Sequence, residues 1–171
     1  MKKKRISVLE LCAGAGGQAL GFEMAGFVWF SGWTDMVNTE YDYGYTDHLA
    51  SFIRDVRGDL KAPGLPFIIG QMGVGGDTHQ GKNDLNFRVL QAAAADLPEF
   101  KGNVKLVVTD GFWDHEAYAV YKQGWKSHID EWDRVGSDFP FHYLGSAKTI
   151  CLIGRAFGEA IIELSPSAAR N

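Results

Sequence analysis

Residues 47–70, DHLASFIRDVRGDLKAPGLPFIIG, hold a helix, a stop signal and a buried strand in succession. Leu49, Phe52, Ile53, Val56 and Leu60 recur at helical spacing, which predicts one amphipathic helix from Asp47 to Leu60. Pro63 and Pro66 end it, because proline lacks a backbone N–H and fixes φ. The run PFIIG is short, apolar and uninterrupted, the pattern of a strand buried on both faces.

The same alternation continues on either side. Ile6 to Leu11 reads as a strand, CAGAGG as a tight turn, and QALGFEMAGF as a helix ending near Gly26. Val28-Trp29-Phe30 is a second strand, ending at Ser31-Gly32. After PFIIG comes a Gly-rich loop, GQMGVGGDTHQGKND. A helix follows from Asn86 to Leu97, with Phe87, Leu90, Ala94 and Leu97 on its apolar face. VKLVV is the next strand. A helix is predicted from Asp114, with Ala117, Tyr121, Trp125, Ile129 and Trp132 in register. Gly136 to Tyr143 is a loop, and the last helix runs from Ser146 to Leu164 with Ile150, Ile153, Phe157, Ile161 and Leu164 as its buried stripe. Strand–helix alternation predicts an α/β domain: three α/β/α layers around a mostly parallel sheet. In such sheets a site forms at the carboxyl ends of the strands.

The chain has 171 residues, the size of one domain. A net charge of −4 argues against a dedicated nucleic-acid binder, so no nucleic-acid partner is expected. No apolar run reaches the length of a membrane span. Glu10 interrupts the apolar stretch after MKKKR, so no export signal is read there. Cys12 and Cys151 lie far apart in apolar surroundings and read as buried thiols.

Four segments carry a family resemblance: FVWFSGWTDMVN (27–38), HLASFIRDVR followed by LPFIIGQMGVGG, residues 101–132, and SDFPFHYLGSAKTICLIGRAFGEAIIEL (137–164). Residues 28–164 resemble the sialate O-acetylesterase family of carbohydrate acetylesterases, hydrolases of the SGNH type with a flavodoxin-like fold. The resemblance implies ester hydrolysis on an acetylated carbohydrate, with no cofactor and no metal. A serine attacks the acetyl carbonyl, a histidine takes its proton, and an aspartate orients the histidine. His142 matches the family's histidine, and Asp138 is the candidate orienting carboxylate on the same loop. Members of the family are commonly exported.

Two departures from the family bear on activity. Its oxyanion element is a Gly-x-Asn-Asp turn after a strand; here that turn is Gly32-Trp33-Thr34-Asp35, with Thr34 in the place of Asn. Gly32 and Thr34 are therefore the candidate oxyanion donors, and loss of one such donor costs roughly two to three orders of magnitude in rate. The family's nucleophile sits in a Gly-x-Ser turn after its first strand, and no such turn precedes Val28. Ser7 falls inside a strand and Ser31 belongs to the oxyanion turn, so the nucleophile position reads as vacant. The expectation is a truncated or chimeric acetylesterase with impaired turnover.

VLELCAGAGGQALGFEMAGF (8–27) resembles a different family, the DNA cytosine-5 methyltransferases, at their first motif. Gly14, Gly16 and Gly17 would let the backbone approach S-adenosylmethionine. That alternative needs a Pro-Cys nucleophile loop and a base-flipping surface, neither of which is present. The segment is better read as a strand and helix added to the sheet. On this division residues 1–27 form the methyltransferase-like strand–turn–helix and residues 28–171 the acetylesterase-like part of one structural unit.

Three lesser candidates reduce to structure. Gly76 to Asn83 approximates a phosphate loop, but Asn83 lacks the magnesium-binding hydroxyl, and Asp77 and Asp84 would repel phosphate. Asp110, Asp114 and His115 fit a strand-end turn and a helix cap better than a metal site. Trp113, Trp125 and Trp132 have the spacing of core residues.

Overall fold

The computed structural model describes residues 25–77, 81–137 and 140–165. Its sheet has three parallel strands in the order β1 (Phe27–Trp29), β2 (Phe67–Gln71), β3 (Val104–Val108). Phe27 pairs with Phe67, and Phe67 in turn with Val104, so all three strands point the same way. Parallel neighbours need a crossover, and helices supply it. After α1 (Trp33–Val37), helix α2 (Tyr45–Asp59) links β1 to β2, and α3 (Lys82–Ala95) links β2 to β3. Then come α4 (His115–Lys122), α5 (Ile129–Val135) and α6 (Ala147–Leu164).

Strand β2 shows why the predicted layers form. Successive side chains alternate between faces. Phe67 and Ile69 enter the cluster built with Leu49, Ile53 and Phe87 of α2 and α3. Ile68 points the other way, into the cluster with Ala160 and Ile161 of α6. All three are fully buried. Each such side chain contributes about 1.5–3 kcal/mol. Gly70 must be glycine, because a Cβ there would run into Phe30 and Phe157.

The α/β reading therefore holds, with local corrections. The single helix predicted from Asp114 to Trp132 is broken: Gly124 adopts φ 90°, and α4 and α5 leave at its two sides. Trp113 and Trp132 are core residues, as their spacing indicated, and Trp125 is half-buried against Trp132. Cys151 is exposed rather than buried, and Ile150 is 53% exposed. The buried positions of α6 are Thr149, Ile153, Ala160 and Ile161, which turn the 150–151 edge outward. Asp110 opens a 3₁₀ turn after β3, and Asp114 caps α4, as expected. The predicted strand at Ile6–Leu11, its Gly-rich turn with Gly14, Gly16 and Gly17, and Cys12 lie outside the described residues. Among the described residues no helix is long and apolar enough to cross a membrane.

Candidate active site

Strands β1 and β2 end beside each other, and the chain leaving each contributes to one cleft of about 400 Å³. Ser31, Gly32 and Trp33 form one wall, Met72 contributes from β2, and Phe141, His142 and Tyr143 form the facing wall.

The first wall is rigid for reasons visible in its neighbours. The expected Gly32–Asp35 turn is the start of α1: the Gly32 carbonyl accepts the Met36 N–H at 2.9 Å, and the Thr34 carbonyl accepts that of Asn38 at 3.1 Å. Gly32 has φ 132°, a region essentially reserved for glycine. A Cβ on it would sit 2.6 Å from the Phe87 ring. Gln91 fixes the backbone further. Its Nε2 donates to the carbonyls of Ser31 and Gly70, each at 3.4 Å, and its Oε1 accepts the Met72 N–H at 2.8 Å. Gln91 is fully buried, so an apolar residue there would leave a buried N–H without a partner.

The second wall hangs on Tyr143. The Thr109 hydroxyl donates to the Gln71 carbonyl at 2.7 Å, which commits its one proton. The Tyr143 hydroxyl, 2.9 Å from Thr109 Oγ1, is therefore the donor in that pair. It accepts in turn from the Gly73 N–H at 2.9 Å. Burial pushes the Tyr143 phenol up from its ordinary pKa, partly offset by the bonds to Thr109 and Gly73. One hydroxyl thus straps the 140–146 loop to the ends of β2 and β3.

The loop's far end is held equally firmly. Ser146 caps α6 by accepting the Thr149 N–H, and its own hydroxyl donates to Asp114 at 2.6 Å. Asp114 also accepts the N–H groups of Glu116 and Ala117, which caps α4. Burial pushes the Asp114 carboxyl up, but Ser146, the two amides and Lys148 outweigh it and hold it below the ordinary carboxylate range. On either side of Tyr143, His142 and Leu144 take φ 50° and 59°, a conformation L-residues seldom adopt. Such strain persists only where surrounding contacts over-determine it.

Across the cleft the His142 ring meets the Trp33 ring edge-on, with centroids 4.8 Å apart. Gly32 and His142 therefore share one site. Thr34 is exposed on α1 and does not line the cleft. Asp138 lies outside the described residues, as do Gly14, Gly16 and Gly17.

Sequence reading missed Gln91, Tyr143 and Thr109. Gln91 had a signal: it lies four residues after Phe87, so a polar side chain interrupts the apolar stripe of α3. Arg88 is also buried, pairing with Asp110 at 3.2 Å, while its Nε and Nη2 find no hydrogen-bond partner among the described residues.

No curated protein and no solved structure matches the chain. A family model does, under the description "Carbohydrate esterase, sialic acid-specific acetylesterase", over residues 8–120. The match runs across Phe27–Val28, includes the Gly32 wall and Gln91, and stops before the His142 loop. No comparison supports the methyltransferase resemblance. With about two-thirds of its length matched, the chain belongs to the carbohydrate esterases of the sialic acid-specific acetylesterase family.

Proposed function

We propose that this cleft hydrolyses O-acetyl esters on carbohydrates. His142 is the general base, Asp138 its orienting carboxylate, and Gly32 the oxyanion donor; Thr34, which does not line the cleft, takes no part. The observation that carries this reading is the 4.8 Å ring contact between Trp33 and His142, which sets the candidate base opposite the candidate oxyanion turn. Aromatic walls favour the arrangement. Phe30, Trp33 and Phe141 offer apolar faces to a sugar ring and its acetyl group. They also lower the local dielectric, which strengthens any donor aimed at a developing oxyanion.

Because position 34, a threonine where the family has a carboxamide, does not line the cleft, the oxyanion lacks one donor and turnover is expected to be slow. Release of acetate from a chromogenic acetyl ester and from an O-acetylated sialic acid tests the reading, with His142→Ala as the control. A rate lower in the variant by two orders of magnitude or more is the expected result. Equal rates for the two proteins would remove the mechanism.

A further inference from the structure

We propose that Ser31 is the nucleophile of this cleft. The inference rests on the ester-hydrolysis reading above. Among the described residues two cleft-lining side chains carry a hydroxyl, Ser31 and Tyr143. The Tyr143 hydroxyl is buried and committed to Thr109 and Gly73. Ser31 is exposed at the cleft, and no hydrogen bond engages its hydroxyl among the described residues.

Its backbone is nevertheless fixed. The Ser31 carbonyl accepts from the buried Gln91, and the next residue is the φ 132° glycine wedged against Phe87. Ser31 thus stands on a sharp turn between a parallel strand and a helix, at the carboxyl edge of the sheet. A strained strand-to-helix turn is a general way of presenting a serine hydroxyl on an α/β sheet. His142 lines the same cleft and touches Trp33, two residues beyond Ser31. Among the described residues no hydrogen bond joins the two, and such pairs are often loose before substrate engages.

The step balances without a further reagent. Ser31 Oγ bonds to the acyl carbon as its proton passes to His142. The bond from that carbon to the sugar oxygen breaks, and the imidazolium gives its proton to that oxygen. Water then attacks the acyl-serine, His142 takes a water proton, and that proton returns to Ser31 Oγ as the carboxylic acid leaves.

The test treats the full chain with a fluorophosphonate probe and maps the adduct by peptide mass. One adduct on the peptide containing Ser31 is expected, formed at least tenfold more slowly in His142→Ala and absent from Ser31→Ala. Acetyl-ester turnover should fall about 10³-fold in Ser31→Ala. Ser31→Cys, which keeps the packing, should alkylate faster than Cys151 and should lose that advantage when His142 is also replaced. Adduct on another serine overturns the proposal. So does turnover that survives Ser31→Ala but not His142→Ala, and that result leaves ester hydrolysis itself standing. If wild type shows neither adduct nor turnover, both readings fall.

Discussion

The Trp33 indole meets the His142 imidazole edge-on, with ring planes at 76°. The contact spans two walls that are 109 positions apart in the chain, so neither wall dictates it locally. An aromatic contact of this kind contributes about 0.5–1.5 kcal/mol beyond burial. Trp33→Ala removes it while leaving the Gly32 and Gln91 anchors in place. The expected outcome is a kcat/KM for acetyl esters lower by up to about tenfold, with folding intact by circular dichroism. Unchanged kinetics would mean that Trp33 does not position His142.

The Tyr143 hydroxyl is the strap behind His142. In Tyr143→Phe the ring still fills its site, but the Gly73 N–H loses its acceptor and Thr109 its donor. A buried group left unsatisfied costs about 1–3 kcal/mol. Urea unfolding should show a lowered midpoint with an unchanged slope. Turnover should fall as well, since His142 is the adjacent residue and its φ of 50° depends on the strap. Thr109→Val should reproduce part of both effects; an unaltered midpoint in either variant would count against this network.

Much of the frame was legible before any coordinates. The VKLVV strand spans Val104–Val108 as read, and the helix expected at Asp47–Leu60 spans Tyr45–Asp59. These elements are decided by local periodicity and by proline stops. What escaped reading depends on tertiary partners. Gly124 could pass for a tolerated helix glycine until its φ of 90° was seen. Cys151 follows an apolar residue in a strongly apolar helix, and only the packing of α6 on β2 and β3 shows which edge faces out. Gln91 and Tyr143 act through backbone groups just past the end of β2, Met72 N–H and Gly73 N–H, and sequence does not record those pairings. His142 and Gly32 were found through family motifs, and the fold then placed them in one cleft.

Asp114 should make the chain acid-labile in a predictable direction. Its carboxyl is held below its ordinary range in the fold, so the unfolded chain binds this proton more readily. The stabilisation is fully present above the unfolded carboxyl pKa and is lost as pH falls through the lower, folded value. Asp114→Asn removes that dependence and exchanges charge-assisted bonds to Ser146 and the two amides for weaker neutral ones, which lowers stability at neutral pH. Urea midpoints taken from pH 7 down to pH 3 should fall more steeply for wild type than for the variant. Parallel curves would show that the carboxylate is not the group linking the α4 and α6 caps.

Cys151 offers a direct check on the orientation of α6. An exposed thiol on the outward edge should react with a maleimide under native conditions at a rate within about tenfold of the same thiol in the unfolded chain, since exposure governs access. Peptide mapping identifies the site. The neighbouring Ile150 lines the cleft, so a bulky adduct at 151 sits one residue from its wall. Modification should therefore raise KM for a carbohydrate ester more than for a small acetyl ester. A thiol that reacts only after denaturation would place this edge of α6 inside, and would move Ile150 out of the cleft with it.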